Sequence, residues 1–172
     1  KEMLTMLEIN IRNIRKMVDW SDQKFPAGTR LIDDYRNINS FEELITVFEG
    51  KNLYIDIWAT WCSGCVEAIK QSSHLRQFAQ SQPLELVYIS LDKPGYREQW
   101  KNYIKKYQMK GHHVLASEEL RNNLDSVIPN HGKIPRYLIV NNKGKVVDFD
   151  AKSPLAEEQL TQQLRAELNL KK

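Results

Sequence analysis

The stretch Leu53-Tyr54-Ile55-Asp56-Ile57-Trp58-Ala59-Thr60-Trp61-Cys62-Ser63-Gly64-Cys65 decides how the rest of the chain is read. Leu53 to Trp58 is apolar and β-branched apart from Asp56, the pattern of a buried strand. Cys62 then stands where a helix begins. Unpaired backbone N–H groups and the aligned peptide dipoles put partial positive charge at that point. A thiolate there is stabilised, so the Cys62 thiol is expected to be more acidic than a free cysteine. Cys65 lies one turn further in, close enough to close a disulfide with two residues between. It is expected to be shielded and less acidic.

That asymmetry defines a reaction. Reduced Cys62 attacks a disulfide on a partner and forms a mixed disulfide. Cys65 then attacks Cys62, releases the reduced partner and leaves the pair oxidised. Run backwards, the pair donates its disulfide. The competing reading is a structural or metal-binding pair. A metal would need two further ligands, and His74, His112, His113 and His131 show no recognisable spacing with the cysteines. Neither a metal nor a cofactor is expected.

Asp56 interrupts the apolar strand six residues before Cys62. Tyr54, Asp56 and Trp58 share one face by alternation. Burial there would raise the carboxyl pKa, because desolvation disfavours the charged form. A solvated or merely hydrogen-bonded Asp56 is the alternative.

Outward from this stretch, the chain is 172 residues long, enough for one domain with an extra element. It carries 25 Lys and Arg against 22 acids, scattered rather than concentrated, so no nucleic-acid-binding face is expected. The two cysteines exclude both a multi-bridge disulfide scaffold and an all-cysteine zinc site. No segment approaches the roughly 18 consecutive apolar residues of a membrane span. The sequence starts at Lys1 with a charged amphipathic stretch. We expect that something upstream was removed, either a targeting segment that could tether the protein to a membrane or more protein.

Residues 2 to 20 read as a helix, with Met3, Leu7, Ile11, Ile14 and Val18 on one face. Phe25-Pro26-Ala27-Gly28 reads as a linker, so residues 1–30 form a leading helix and linker and residues 31–172 the domain. The leading helix is read as the end of an upstream region. Asn39-Ser40 can cap a helix over 41–49, with Glu43 in the first turn and Gly50 as the stop. A helix is expected from about Ser63 to Gln80, then a second central strand over Leu84–Leu91. The Pro94-Gly95 turn leads into a helix marked by Tyr96, Trp100, Tyr103, Ile104 and Tyr107, whose aromatic stripe is read as packing. His113–Leu115 suggests a short strand, with His112 and His113 in a loop or at its surface, and 117–125 a short helix. Arg136–Asn141 and Lys145–Phe149 flank Asn142-Lys143-Gly144 as a hairpin, and Pro154 opens a last helix striped with Leu160, Leu164 and Leu168. The fold class is α/β, a central mixed sheet flanked by helices.

The run Trp58-Ala59-Thr60-Trp61-Cys62-x-x-Cys65 resembles the active-site signature of thioredoxin-like proteins, and more closely the TlpA/ResA-like extracytoplasmic branch found in bacteria. Gly132-Lys133-Ile134-Pro135-Arg136-Tyr137-Leu138-Ile139-Val140, followed by Asn142-Lys143-Gly144-Lys145, resembles the family's proline loop, strand and hairpin. The resemblance runs from about Lys51 to the C-terminus. It implies a thioredoxin fold with an extra N-terminal helix, and a protein thiol-disulfide oxidoreductase using Cys62 and Cys65. It implies a location outside the cytoplasm, in the periplasm or cell envelope. The partners it implies are protein disulfides or dithiols and an unidentified redox partner. It further implies a cis Ile134–Pro135 bond in a loop packed beside the cysteines. There the backbone of Ile134 would pair with an extended substrate chain, and Trp61 would offer an apolar flank. It implies proton transfer between Asp56 and Cys65.

The sequence departs from the family pattern in several places. Ser63-Gly64 stands where a proline-containing dipeptide is common, Tyr88 where thioredoxin has a lysine, Ala68 where the branch often has a glutamate, and Lys70 where a helix-kinking proline is usual. Two other readings remain. A peroxiredoxin-like thiol peroxidase would place Thr or Ser at Ala59, and a non-catalytic thioredoxin-fold binding module would not need Cys62.

Overall fold

A computed structural model describes residues 20–32, 37–129 and 133–171. The helix expected over 2 to 20 lies outside these residues except for Trp20, as do His131 and Gly132.

Six strands form one mixed sheet: β1 (Thr29–Leu31), β2 (Asn52–Trp58), β3 (Leu84–Ser90), β4 (Gly111–Leu115), β5 (Arg136–Val140) and β6 (Val146–Asp148). Their spatial order is β1-β4-β3-β2-β5-β6. The first four are mutually parallel, while β5 runs antiparallel to β2 and β6 antiparallel to β5. The helices are α1 (Phe41–Thr46), α2 (Ser63–Lys70), α3 (Ser73–Ser81), α4 (Arg97–Lys106), α5 (Glu118–Val127) and α6 (Glu157–Leu168), with short 3-10 turns at Pro94–Tyr96 and Pro154–Ala156.

Alternation along the strands sorts the core into two layers. Leu53, Ile55, Ile57, Val87, Ile89, Val114, Leu138 and Val140 face α1 and α5, where Phe41, Leu44, Leu120 and Leu124 close over them. Tyr54, Trp58, Leu86, Tyr88, Leu115, Tyr137 and Ile139 face the other way, against the cysteine helix, α3, α4 and the Leu160, Leu164 and Leu168 stripe of α6. Every residue of β2 is buried, as expected of a central strand covered on both faces.

Local chemistry explains the elements that sequence patterning found. Ser40 caps α1 in a reciprocal box: Glu43 N donates to Ser40 Oγ at 3.1 Å, and Ser40 N to Glu43 Oε2 at 3.3 Å. The β5–β6 turn closes with Gly144 at φ +74, which favours glycine. At Gly111 the need is steric as well, since a Cβ there would meet Leu86 O at 2.6 Å.

Three expectations need correction. The helix expected over 63–80 is two helices, broken at Gln71-Ser72. Ser72 Oγ donates to Ile69 O at 2.7 Å and Arg76 Nη1 to the same oxygen at 3.3 Å, so the carbonyl is drawn out of the helical ladder without any proline. Thr29–Leu31, which straddles the expected boundary between residues 30 and 31, is a strand paired with Gly111, His112 and His113. His113 is fully buried rather than at a surface. Its Nε2 lies 2.9 Å from Met109 O and its ring stacks on Tyr88 at 4.8 Å.

Candidate active site

The C-terminal end of β2 delivers the chain to the two cysteines. Ala59 accepts a hydrogen bond from Cys62 N at 3.1 Å, and Leu91 N donates to Trp58 O at 2.8 Å, so the turn stays attached to the end of β3. Cys62 is the N-cap of α2, with extended backbone at φ −88 and ψ 101. Its Sγ accepts a hydrogen bond from Cys65 N at 3.2 Å. A sulfur in that place meets a backbone donor and the positive end of the helix together. The two sulfurs are joined as a disulfide across a Cα–Cα distance of 5.3 Å. Cys62 is 9% exposed and Cys65 1%, so Cys62 is the less deeply buried of the two.

The remaining expected site residues fall into an outer and an inner group. Trp61, beside Cys62, is 67% exposed. The Ile134–Pro135 peptide bond is cis. Pro135 is exposed and Ile134 half-buried against the core. A Cβ built on Gly64 would lie 3.7 Å from Pro135 Cδ, so the proline loop abuts the start of the cysteine helix.

Asp56 is the inner member. It is 2% exposed, and its Oδ1 finds no hydrogen-bond partner among the described residues. Burial pushes its carboxyl up to about 8. It stands in register with Tyr88 on one side and Tyr137 on the other, and Tyr88 in turn with His113. These side chains share the sheet face that packs against the cysteine helix. Burial, and secondarily the Asp56 charge, pushes the Tyr88 and Tyr137 hydroxyls up, and burial pushes His113 down to about 3. Tyr88 therefore stands directly opposite Asp56 on the neighbouring strand. Glu67 points elsewhere: it is exposed and pairs with Lys70 at 3.5 Å, while the neighbouring Ala68 is buried.

Sequence reasoning missed a second carboxylate. Asp92 is 1% exposed and accepts from Thr60 N at 3.0 Å, Thr60 Oγ1 at 2.8 Å and Ser90 Oγ at 2.7 Å. Gln99 Nε2 donates to Thr60 Oγ1 at 3.0 Å. The available signal was an aspartate at the end of a buried strand with a serine two residues before it, a spacing that permits local side-chain bonding.

A family model described as thioredoxin-like matches residues 50–146, which includes the cysteine pair, the cis-proline and most of the sheet. The chain belongs to the thioredoxin-like family. Among curated proteins it is similar to thiol-disulfide oxidoreductase ResA of Bacillus thuringiensis subsp. konkukian and of Bacillus cereus. Each is 24% identical over 118 residues, covering 69% of this chain and 64% of the relative. The chain thus spans a little under two thirds of the length of these curated relatives. Among solved structures, the thioredoxin domain of a thiol-disulfide oxidoreductase from Bacteroides vulgatus superposes with a TM-score of 0.57 at 20% identity, covering 72% of this chain and 84% of that one. A thiol:disulfide interchange protein from Chlorobium tepidum gives 0.57 at 20% identity, covering 69% and 82%. At that identity the two structures establish the thioredoxin-like fold.

Proposed function

We propose that this protein is a thiol-disulfide oxidoreductase that exchanges the Cys62–Cys65 couple with protein disulfides or dithiols. The observation that carries the reading is the unequal placement of the two sulfurs: Cys62 at the helix N-cap with a backbone donor on its Sγ, and Cys65 buried one turn inside. Cys62 is the attacking sulfur, because its anion is stabilised where it meets solvent. Cys65 resolves the mixed disulfide, because it is held within bonding distance and shielded from competing partners.

Asp56 carries the proton that Cys65 must lose to attack and regain when reduced. A carboxyl raised to about 8 holds a proton at neutral pH and releases it within reach of physiological conditions. Its place on the cysteine-facing side of the sheet supports that role. Trp61, Ile134 and Pro135 form the partner-facing surface, with the Ile134 backbone available to pair with an extended chain. The similarity to ResA and to the TlpA/ResA-like branch supports a location outside the cytoplasm. Among the described residues, no helix is long and apolar enough to cross a membrane.

Cysteine substitution tests the roles directly. Cys62→Ser abolishes reduction of insulin disulfides, whereas Cys65→Ser accumulates mixed disulfides through Cys62 that mass spectrometry detects. A Cys65→Ser protein that captures no disulfide-bearing probe would overturn the assignment.

A further inference from the structure

The turn that carries Trp61 and Cys62 has one backbone bond of its own, Cys62 N to Ala59 O, and takes further support from outside it. Between the end of β2 and the start of α2, Thr60 is 6% exposed, and its backbone N–H points at Asp92 rather than into a turn or a strand. Asp92 itself is gripped from several sides. Both carboxylate oxygens accept from Thr60 N, at 3.3 and 3.0 Å, and the Thr60 and Ser90 hydroxyls add a bond each. Asp92 N donates back to Ser90 Oγ at 3.1 Å. Arg121 Nη1, from α5, donates to Asp92 O and to Ala116 O, both at 3.2 Å, and so fixes the ends of β3 and β4 against each other. Gln99, from α4, completes the ring at Thr60 Oγ1.

We infer that Asp92 is a positioning residue for the disulfide exchange: its buried carboxylate clamps Thr60 and thereby holds the Cys62 sulfur where Cys65 can reach it. This inference rests on the exchange reading given above. The physical reason is the effective concentration of one thiol toward the other. Two sulfurs on a fixed turn and helix meet at close to bonding geometry, and looseness in the turn dilutes that encounter. Removing Asp92 also leaves the buried Thr60 N–H unpaired, so the turn must rearrange to satisfy it. The clamp acts through Thr60 and does not touch the reacting sulfurs.

The test isolates the resolving step. Fully reduced protein is mixed with oxidised glutathione. Cys62 forms the glutathione adduct and releases one glutathione thiol, and Cys65 then closes the internal disulfide and releases the second. Quenched samples read the decay of the adduct by mass, at temperatures well below each variant's Tm, where lost stability alone leaves the rate in place. Asp92→Ala is expected to slow adduct decay by about tenfold or more, a size typical of misplaced reacting groups. Asp92→Asn keeps an oxygen for the Thr60 N–H and is expected to stay within about threefold of wild type. Thr60→Val, which keeps the backbone bond but loses the hydroxyl, gives an independent arm if Asp92→Ala does not fold, with slowing of about threefold expected. Folded Asp92→Ala or Thr60→Val proteins that resolve the adduct at the wild-type rate would overturn the inference alone. So would equal losses in Asp92→Ala and Asp92→Asn. A wild-type protein that never resolves the adduct would overturn the exchange reading and this inference with it.

Discussion

The two faces of the sheet differ in what they bury. The face under α1 and α5 is aliphatic, built from Leu53, Ile55, Ile57, Val87, Ile89 and Val140. The face under the cysteine helix carries a lateral row of titratable groups, Tyr137, Asp56, Tyr88 and His113, in register across four neighbouring strands. The first face gains from every residue it removes from water. The second accepts the desolvation of an acid and an imidazole, whose Oδ1 and Nδ1 have no hydrogen-bond partner among the described residues. Both sides are densely packed, the cysteine side with Trp58, Ile69, Trp100 and Ile104 among others, and that side also carries the row of buried titratable groups.

Substitutions on each face sharpen that contrast. The largest effect belongs to the aliphatic side. Ile55→Ala, at a fully buried position, is expected to cost about 2–5 kcal/mol in chemical denaturation, with no change in the pH dependence of stability.

Asp56→Asn runs the other way. The folded carboxyl titrates near 8 and the unfolded one near 4, so between those values the unfolded state has released a proton that the folded state still holds. The Asp56 contribution is intact below pH 4 and is lost as pH rises toward 8. The variant should therefore match the parent near pH 4 and exceed it near pH 8 by a gap on the order of a few kcal/mol, while disulfide exchange slows. A gap that does not widen with pH would place Asp56 outside the buried row.

The smallest effect is at His113. Its folded value near 3 lies below the usual value near 6.5, so the unfolded state takes up a proton first as the solution is acidified. Stability attributable to His113 is present above 6.5 and drains away toward 3. His113→Gln should flatten that acid limb by about 1–3 kcal/mol, read as Tm against pH.

The same contrast explains what the sequence disclosed. The β2 strand and the start of α2 were legible because an uninterrupted apolar run led straight into two closely spaced cysteines. The hairpin was legible because Asn142-Lys143-Gly144 separates two strand-like segments. Asp56 stood out as a charged residue inside such a run, and alternation with Tyr54 and Trp58 favoured its burial without excluding a solvated side chain. What stayed hidden depended on tertiary contact. Thr29–Leu31 is too short to show a period and is a strand because Gly111–His113 lies beside it. The break at Gln71-Ser72 carries neither proline nor glycine and follows from where a serine hydroxyl and Arg76 point. His113 was hidden by its neighbour: His112 is partly exposed and lies 3.1 Å from Glu85 Oε2, which makes the pair look like surface. Asp92, next to a proline-glycine turn, is marked as buried only by the Thr60 N–H and hydroxyl that donate to it across the fold.

The outermost strands, β1 and β6, are three residues each, while β2 and β3 run to seven and lie walled in at the centre. Short borders offer a foreign strand little length to zip onto. A client peptide therefore gains few backbone bonds by lying along the rim of the sheet. On the proposed reading, the Ile134 loop beside the cysteines would give it a few such bonds where its own disulfide comes into range, so docking and reaction would share one corner of the molecule.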